Sequence, residues 1–551
     1  MKRSAIFIIL FLIVKCSFSQ SEVLEYWPND SKKTQGKYNI VGMEEGKWLY
    51  WYENGNLKEE INYANGTLHG KVAYWYENGK QKDEGYFKNG FQDSIKISWY
   101  ENGKKKEEGY YKASLKDSLW ISWYENEKKQ REEKYNTGKA LLLNYWNDKG
   151  EQLVKAGEGI LYSYYNDGRK KEECTYVKGE KNGKCTEWYE NGQLKAEGVM
   201  AGEIKEGKWK EWYNDGQLKS EGSFKQGKKD GKWTAWFADG KKWKEGDYKN
   251  DKEEGLYTQW FDNGNLNYQG KYADGLKEGL WIWYYKTGNK DMEGHFTNDK
   301  PEGKWTYMFY EGGVEYEGNY KAGLKDGLWN YYYKEAGKKW KQGSFKNDLK
   351  DDLWTYWFED GKKVQEGSFL NDKEEGLWAS WYDNGQKKDE GYYIAGRMNG
   401  NWKGWYKNGV MNYDGSWKDD LRDGIWSFYN TKGKIIEQGP YKDGVKEGLW
   451  IVNFDTGIKE SEGAYLKGKP EGTWMYYYAP GQKFQQQVFK EGQLHGKSLA
   501  WYQGGQLKSE TSFKEGKADG TWKYYDQKGN ITYKAIYKQG KKTKQFTQDK
   551  K

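Results

Sequence analysis

The chain has 551 residues, of which 18% are aromatic and 32% charged, with 71 Gly and only 5 Pro. A disordered chain is excluded, because such chains are poor in aromatics, and so is an ordinary thick-cored globule, which would fill its interior with Leu, Ile, Val and Ala. The formal charge of +8 is a near balance of 91 Lys and Arg against 83 Asp and Glu, and outside the extreme C-terminus no basic block is dense enough to follow a phosphate backbone, so nucleic acid is not an expected partner.

The first predicted element is a secretory signal peptide over residues 1–19. Lys2 and Arg3 precede an apolar run from Ala5 to Val14, followed by Ser17-Phe18-Ser19-Gln20, with cleavage expected after Ser19. The apolar run is about half of what a bilayer-crossing helix needs, and no other stretch approaches that length, so no integral membrane segment is expected after cleavage. Cleavage removes Lys2, Arg3 and Lys15 and no acid, which leaves +5. Cys16 offers a lipoprotein alternative, against which Lys15 stands where a small residue is expected. The expected location is periplasmic, cell-surface or secreted.

Residues 20–45 are expected to cap the array that follows, and regular repeats are expected over 46–127. Trp-Tyr-Glu-Asn-Gly occurs at 51–55, 75–79, 99–103 and 188–192, and relaxed copies continue at Trp212, Trp236, Trp260, Trp357, Trp381 and Trp501, so the period is 24 residues. A second series, Gly207, Gly231, Gly255, Gly279, Gly303 and Gly327, and a third, Phe224, Tyr248, Tyr272, Phe296 and Tyr320, keep the same interval.

Each unit reads as a β-hairpin. In the copy from Gly207 to Lys229, Asn214-Asp215-Gly216 supplies the positive φ angles of a tight turn between strands Lys208 to Tyr213 and Gln217 to Phe224. Alternation places Trp209 and Tyr213 on one face with Leu218, Gly222 and Phe224, and Trp212 on the other with Lys219 and Glu221. A mid-strand Gly such as Gly222 needs a covering aromatic, and Gly85, Gly109, Gly246, Gly367 and Gly391 fit the same role. A single hairpin is marginal in water, whereas stacked hairpins accumulate stability along the array.

Between Glu127 and Gly168 the period fails, and Ala140-Leu141-Leu142-Leu143 replaces the charged pattern. An irregular segment with a kink or short repeat is expected over 128–182, with regular repeats over 183–537 and a charged tail over 538–551. An extra residue near Gly337 reads as a bulge. Cys174 and Cys185 occupy the mid-strand Gly and Lys-Trp positions of consecutive strands, where a disulfide is plausible in an oxidising compartment.

Nothing in the sequence suggests catalysis. The three histidines, His69, His295 and His495, are scattered, and no Ser or Cys sits in a nucleophile motif. Paired carboxylates such as Glu59-Glu60 and Asp351-Asp352 keep register with the repeat, as solvated structure would. Asn250 to Gly255 and Asn371 to Gly376 match no calcium-loop spacing, so neither metal nor cofactor is expected.

Gly-Lys-Trp followed by Trp-Tyr-Glu-Asn-Gly, Leu-Lys, Glu-Gly and Tyr or Phe resembles the MORN (membrane occupation and recognition nexus) repeat in its bacterial variant form, over nearly all of the chain beyond the signal. The resemblance implies an all-β, elongated single-sheet meander of about twenty tandem hairpins, and it implies binding or scaffolding, some relatives being described as antitoxin components. His-Gly, frequent in the eukaryotic pattern, survives only at His69-Gly70 and His495-Gly496, so lipid binding does not carry over.

The expected function is therefore a non-catalytic scaffold that binds a protein along an outward stripe formed by Trp51, Trp75, Trp99, Trp212, Trp236, Trp260, Trp357, Trp381, Trp405 and Trp501. The alternatives are a cell-wall or extracellular polysaccharide stacking on the same indoles, an antitoxin-like inhibition of a partner protein, and a purely structural stripe.

Overall fold

In the computed structural model, residues 20–546 are described, except 336 and 480; the signal-peptide segment 1–19 lies outside them, as do residues 547–551. The described residues form 50 β-strands and no helix. They group into two compact units, Met1–Gly264 and Asn265–Lys551. Each unit is an open antiparallel meander, every strand pairing with its neighbours in sequence, as in Ile204–Trp212 with Leu218–Lys225 and Lys300–Met308 with Val314–Lys321.

Two kinds of turn alternate along each meander. At Trp-Tyr-Glu-Asn-Gly the loop runs from the Tyr52 amide, donating to Asn56 O at 2.9 Å, to the Gly55 amide, donating back to Tyr52 O at 3.0 Å. Only the glycine takes a positive φ, +87° at Gly55. Asn54 instead accepts the Asn56 amide on its Oδ1 and donates from Nδ2 to Glu77 O in the next repeat. The expected two-residue turn at Asn-Gly is thus a longer loop closed by one left-handed Gly and a bulge in the returning strand. The two-residue turns with two positive φ angles lie at the opposite ends of the strands, as at Asn65-Gly66 and Gln226-Gly227.

The second glycine series marks an irregularity of the ladder. Gly198 pairs with Trp209 but Val199 with Glu206, so Gly207 and Lys208 are looped out, Gly207 at φ +63°. The carboxylate just before that glycine then accepts the turn amide of the following hairpin, as in Gln226 N to Glu206 Oε2 at 2.7 Å and Ala322 N to Glu302 Oε2 at 2.7 Å. In the calcium-loop lookalikes, Asp251 and Asp372 accept the amides of Lys229 and Lys350, each at 2.7 Å. These acids close the turn network that links successive repeats.

The core is a row of tryptophans stacked one per hairpin on one face of the sheet. Trp281, Trp329, Trp354 and Trp450 are 0% exposed. Each lies flat on the mid-strand glycine of the preceding hairpin: Trp233 covers Gly222, Trp329 covers Gly318 and Trp354 covers Gly343. The indole also donates to the carbonyl after that glycine, as in Trp233 Nε1 to Ser223 O and Trp329 Nε1 to Asn319 O. Edge-on aromatics from the third series complete the row, with Phe345 5.1 Å from Trp354 and Tyr441 5.0 Å from Trp450. Fully burying an aromatic of 150–250 Å² contributes about 4–6 kcal/mol before ordering costs, and each edge-to-face pair roughly 0.5–1.5 kcal/mol more. The covering aromatic comes from the next hairpin, since the tryptophan opposite the glycine within its own hairpin covers the glycine before.

Where the sequence lacks the tryptophan, the glycine is generally replaced. Ile61 pairs with Val72, and Cys174 pairs with Cys185. Gly85 is the exception among the predicted covered glycines, with Gln92 and Lys96 over it instead of an aromatic ring. Cys174 and Cys185 are disulfide-bonded, their Cα atoms 4.2 Å apart and their side chains buried. Nearby, the short strand Gln152–Lys155 and the amide of Leu142, which donates to Gly179 O, make the locally irregular pairing. The extra residue near Gly337 widens a turn, closed by Tyr333 N to Lys338 O, and leaves the Trp329–Gly343 ladder intact; strand register resists an insertion that a turn absorbs. The chain closes with strand Lys541–Phe546 on Ile531–Lys538.

Candidate binding surfaces

The outer face, opposite the buried indoles, carries the ten predicted tryptophans. Trp51, Trp75, Trp99, Trp212, Trp236, Trp260, Trp357, Trp381, Trp405 and Trp501 are all half-buried. Lysines of the preceding hairpin lie over several of them, Lys242 over Trp260 and Lys363 over Trp381 at 5.5 and 5.4 Å from the ring centres. Their backbone carbonyls accept tyrosine hydroxyls from one repeat earlier: Tyr52 on Trp75, Tyr76 on Trp99, Tyr189 on Trp212, Tyr213 on Trp236 and Tyr382 on Trp405. Tyr213 keeps to the face it was expected to share with Trp209, with Lys219 of the core-face cleft over its ring at 5.7 Å. Leu218 pairs with Trp212 across the bulge, and Lys219 lines a cleft with Ser220 and Phe224 instead of standing beside Trp212.

Sequence reasoning missed two features. On the outer face, the residue just before several core tryptophans of the second unit is an exposed aliphatic, Leu353 at 51%, Leu377 at 52%, Ile425 at 67% and Leu449 at 57%, with Asn401 between Leu377 and Ile425. The signal was present in the Leu or Ile that replaces Lys just before the tryptophan, as in Gly376-Leu377-Trp378 and Gly448-Leu449-Trp450. On the core face, Trp243 and Trp340 are the exposed members of the 32 tryptophans, each at 37%. Both stand in the bulge after the Gly turn, within the repeated Lys-Trp-Lys at 242–244 and 339–341.

Beside those two tryptophans the core face opens into clefts. One, of about 320 Å³, has Trp233, Trp243, Lys244 and Tyr257 in its walls, where Tyr257 covers Gly246 in place of the usual tryptophan. The other, of about 370 Å³, is lined by Tyr316, Tyr331, Trp340, Lys341 and Glu315. Burial, and then the nearby Lys229, hold the Lys244 ammonium below the ordinary lysine range. Lys341 is lowered by burial and by Lys350 and Lys325. Burial, followed by neighbouring tyrosines, pushes Tyr331 up to about 12. Among the described residues no group of three or more His, Cys, Asp or Glu could hold a metal ion, and no helix is long and apolar enough to cross a membrane.

A ladder of similar hairpins, most of which supply the tryptophan that covers the previous glycine, defines a tandem β-hairpin repeat protein, a repeat scaffold. The model of the MORN repeat variant matches twelve segments: 44–65, 68–89, 92–113, 181–200, 205–226, 229–250, 253–274, 277–298, 374–395, 422–443, 494–515 and 518–539. The chain belongs to that family. Comparison with curated proteins finds no match. Among solved structures it is similar to chains in the crystal structure of TcdB2-TccC3-Cdc42 and in the structure of the Photorhabdus luminescens Tc holotoxin pore, each at 10% identity over 94% of this chain, with TM-scores of 0.13 and 0.12. It spans 31% and 30% of those chains.

Proposed function

We propose that the chain is an exported, non-catalytic scaffold that binds a protein partner along its outer face. The observation that carries this reading is the exposed aliphatic row Leu353, Leu377, Ile425 and Leu449, interrupted at Asn401 and in register with the tryptophan stripe on the same face. A repeated apolar row rimmed by Lys and Glu is the surface chemistry of a protein interface. Antitoxin-like inhibition of a partner is one form that protein binding could take.

Export is supported by the charged and apolar start of the sequence and by the Cys174–Cys185 bond. The absence of catalysis is supported by the engagement of Glu206, Glu302, Asp251 and Asp372 with turn amides. The test is a pull-down from the cell envelope with the intact chain, beside Leu353→Lys/Leu377→Lys/Ile425→Lys and Trp357→Ala/Trp381→Ala/Trp405→Ala variants. Capture of a protein that both variants lose, with their circular dichroism unchanged, is expected. Capture of a polysaccharide lost only in the Trp variant would replace this reading with the glycan one.

A further inference from the structure

Among the described residues, the core face carries lysines with no carboxylate at ion-pair distance. Lys325 lies over Trp329 at 4.4 Å and Phe345 at 5.1 Å, Lys341 over Tyr331 at 4.2 Å and Trp340 at 4.4 Å, and Lys350 over Trp354 at 4.9 Å and Phe369 at 4.6 Å. None of the three has an acidic side chain within ion-pair distance among the described residues, whereas the equivalent Lys205 reaches Glu211 at 3.1 Å. The strand register gathers them. Lys341 pairs with Tyr331 on one side and Tyr356 on the other, and Lys350 pairs with Phe345. Asp348, a nearby acid, already accepts the Lys325 amide at 2.7 Å.

This cationic group borders the cleft floored by Tyr316 and Tyr331, whose rings stack 5.6 Å apart, and walled by the exposed Trp340; Glu315 is the one carboxylate among the cleft's lining residues. The first unit repeats the arrangement around the other Lys-Trp-Lys. Lys244 lies 4.6 Å over the exposed Trp243, and Lys229 lies 4.4 Å over Trp233, neither ion-paired; Glu211 in that cleft is held by Lys205.

Unpaired ammoniums seated on aromatic rings, next to an open indole and tyrosine hydroxyls, combine two recognition chemistries: point charges for an anion and flat faces for a pyranose ring. Neither alone requires this arrangement. A neutral sugar site would not concentrate three like charges, and a bare anion site would not leave a tryptophan exposed at 37%. We infer that the two Lys-Trp-Lys clefts on the core face bind an acidic polysaccharide, one whose sugar rings carry carboxylates, with Trp243 and Trp340 stacking on a ring and Lys244 and Lys341 meeting the carboxylates. This binding is separate from the protein interface of the outer face.

The experiment is calorimetric titration of the full chain with a hexamer of galacturonate, with a neutral cellohexaose of the same length, and with inorganic phosphate. The hexauronate is expected to bind, the neutral hexamer at least about tenfold more weakly, and phosphate not to displace the hexauronate at matched charge. Lys244→Met/Lys341→Met and Trp243→Ala/Trp340→Ala are each expected to weaken hexauronate binding by about tenfold or more. Lys304→Met, on the outer face, is expected to leave it unchanged, with the melting curves of all variants showing a retained fold. No hexauronate binding, equal binding of the neutral hexamer, phosphate displacing hexauronate at matched charge, or full binding by folded Lys and Trp variants would each overturn the inference.

Discussion

The Gly318–Trp329 rung shows how strictly one position in a hairpin constrains a residue eleven places later. A Cβ added at Gly318 would stand 2.1 Å from the Trp329 ring, so alanine there must push out an indole that is 0% exposed. Gly318→Ala is expected to cost about 3 kcal/mol or more, as much as Trp329→Ala, and the double variant less than the sum, in denaturant titrations read by circular dichroism. Thr511 already shows the effect in milder form, since Trp522 opposite it is only half-buried although its indole still donates to Ser512 O. The same logic makes the disulfide replaceable. Cys174→Gly/Cys185→Trp rebuilds the rung and is expected to be as stable under reducing conditions as the oxidised native chain, whereas reduction of the native chain is expected to cost about 2–3 kcal/mol.

Across each hairpin, pairs of charges and buried tyrosines set the response to pH. Glu317 accepts from Lys304 at 2.8 Å and from Tyr332, and the lysine holds its carboxyl below the ordinary range; Lys459 does the same for Glu462 and Lys497 for Glu510. A depressed carboxyl contributes stability above its unfolded pKa that is lost as pH falls through the folded one, so the melting temperature is expected to drop below about pH 4.5. Burial acts in the opposite sense on Tyr50 and Tyr331, both pushed up to about 12. Their contribution is complete below the ordinary tyrosine pKa of about 10 and disappears as pH rises through 12. Tyrosinate absorbance is therefore expected to rise together with loss of the β-sheet circular dichroism between pH 10 and 12; tyrosinate formation well before unfolding would contradict this.

For the molecule as a whole, each hairpin touches its neighbours in sequence, so repeats add or subtract as units. Deleting residues 362–385, one full period within the second unit, joins Gly361 to Gln386 and preserves turn, glycine and tryptophan register. That variant is expected to fold with a modestly lower denaturation midpoint, while deletion of 23 residues, which puts the next tryptophan on the wrong face, is expected to lose cooperative unfolding.

Period, strand positions, turn glycines and the need for an aromatic over each mid-strand Gly were legible in the sequence, because each is a local steric demand repeated every 24 residues, whereas the cover's origin in the next hairpin was not. The Cys174 and Cys185 positions were legible for the same reason, as substitutions at one rung. What the sequence could not assign was the face and depth of each aromatic. The bulge after every Gly turn shifts the alternation, so Lys219, Trp243 and Trp340 come to the core face against a simple count of two. The gathering of Lys325, Lys341 and Lys350 from three strands, and the lysine cover over the outer tryptophans, arise only when register brings separate hairpins together. Local chemistry thus determined the repeat, and the surfaces available for binding were decided by tertiary stacking.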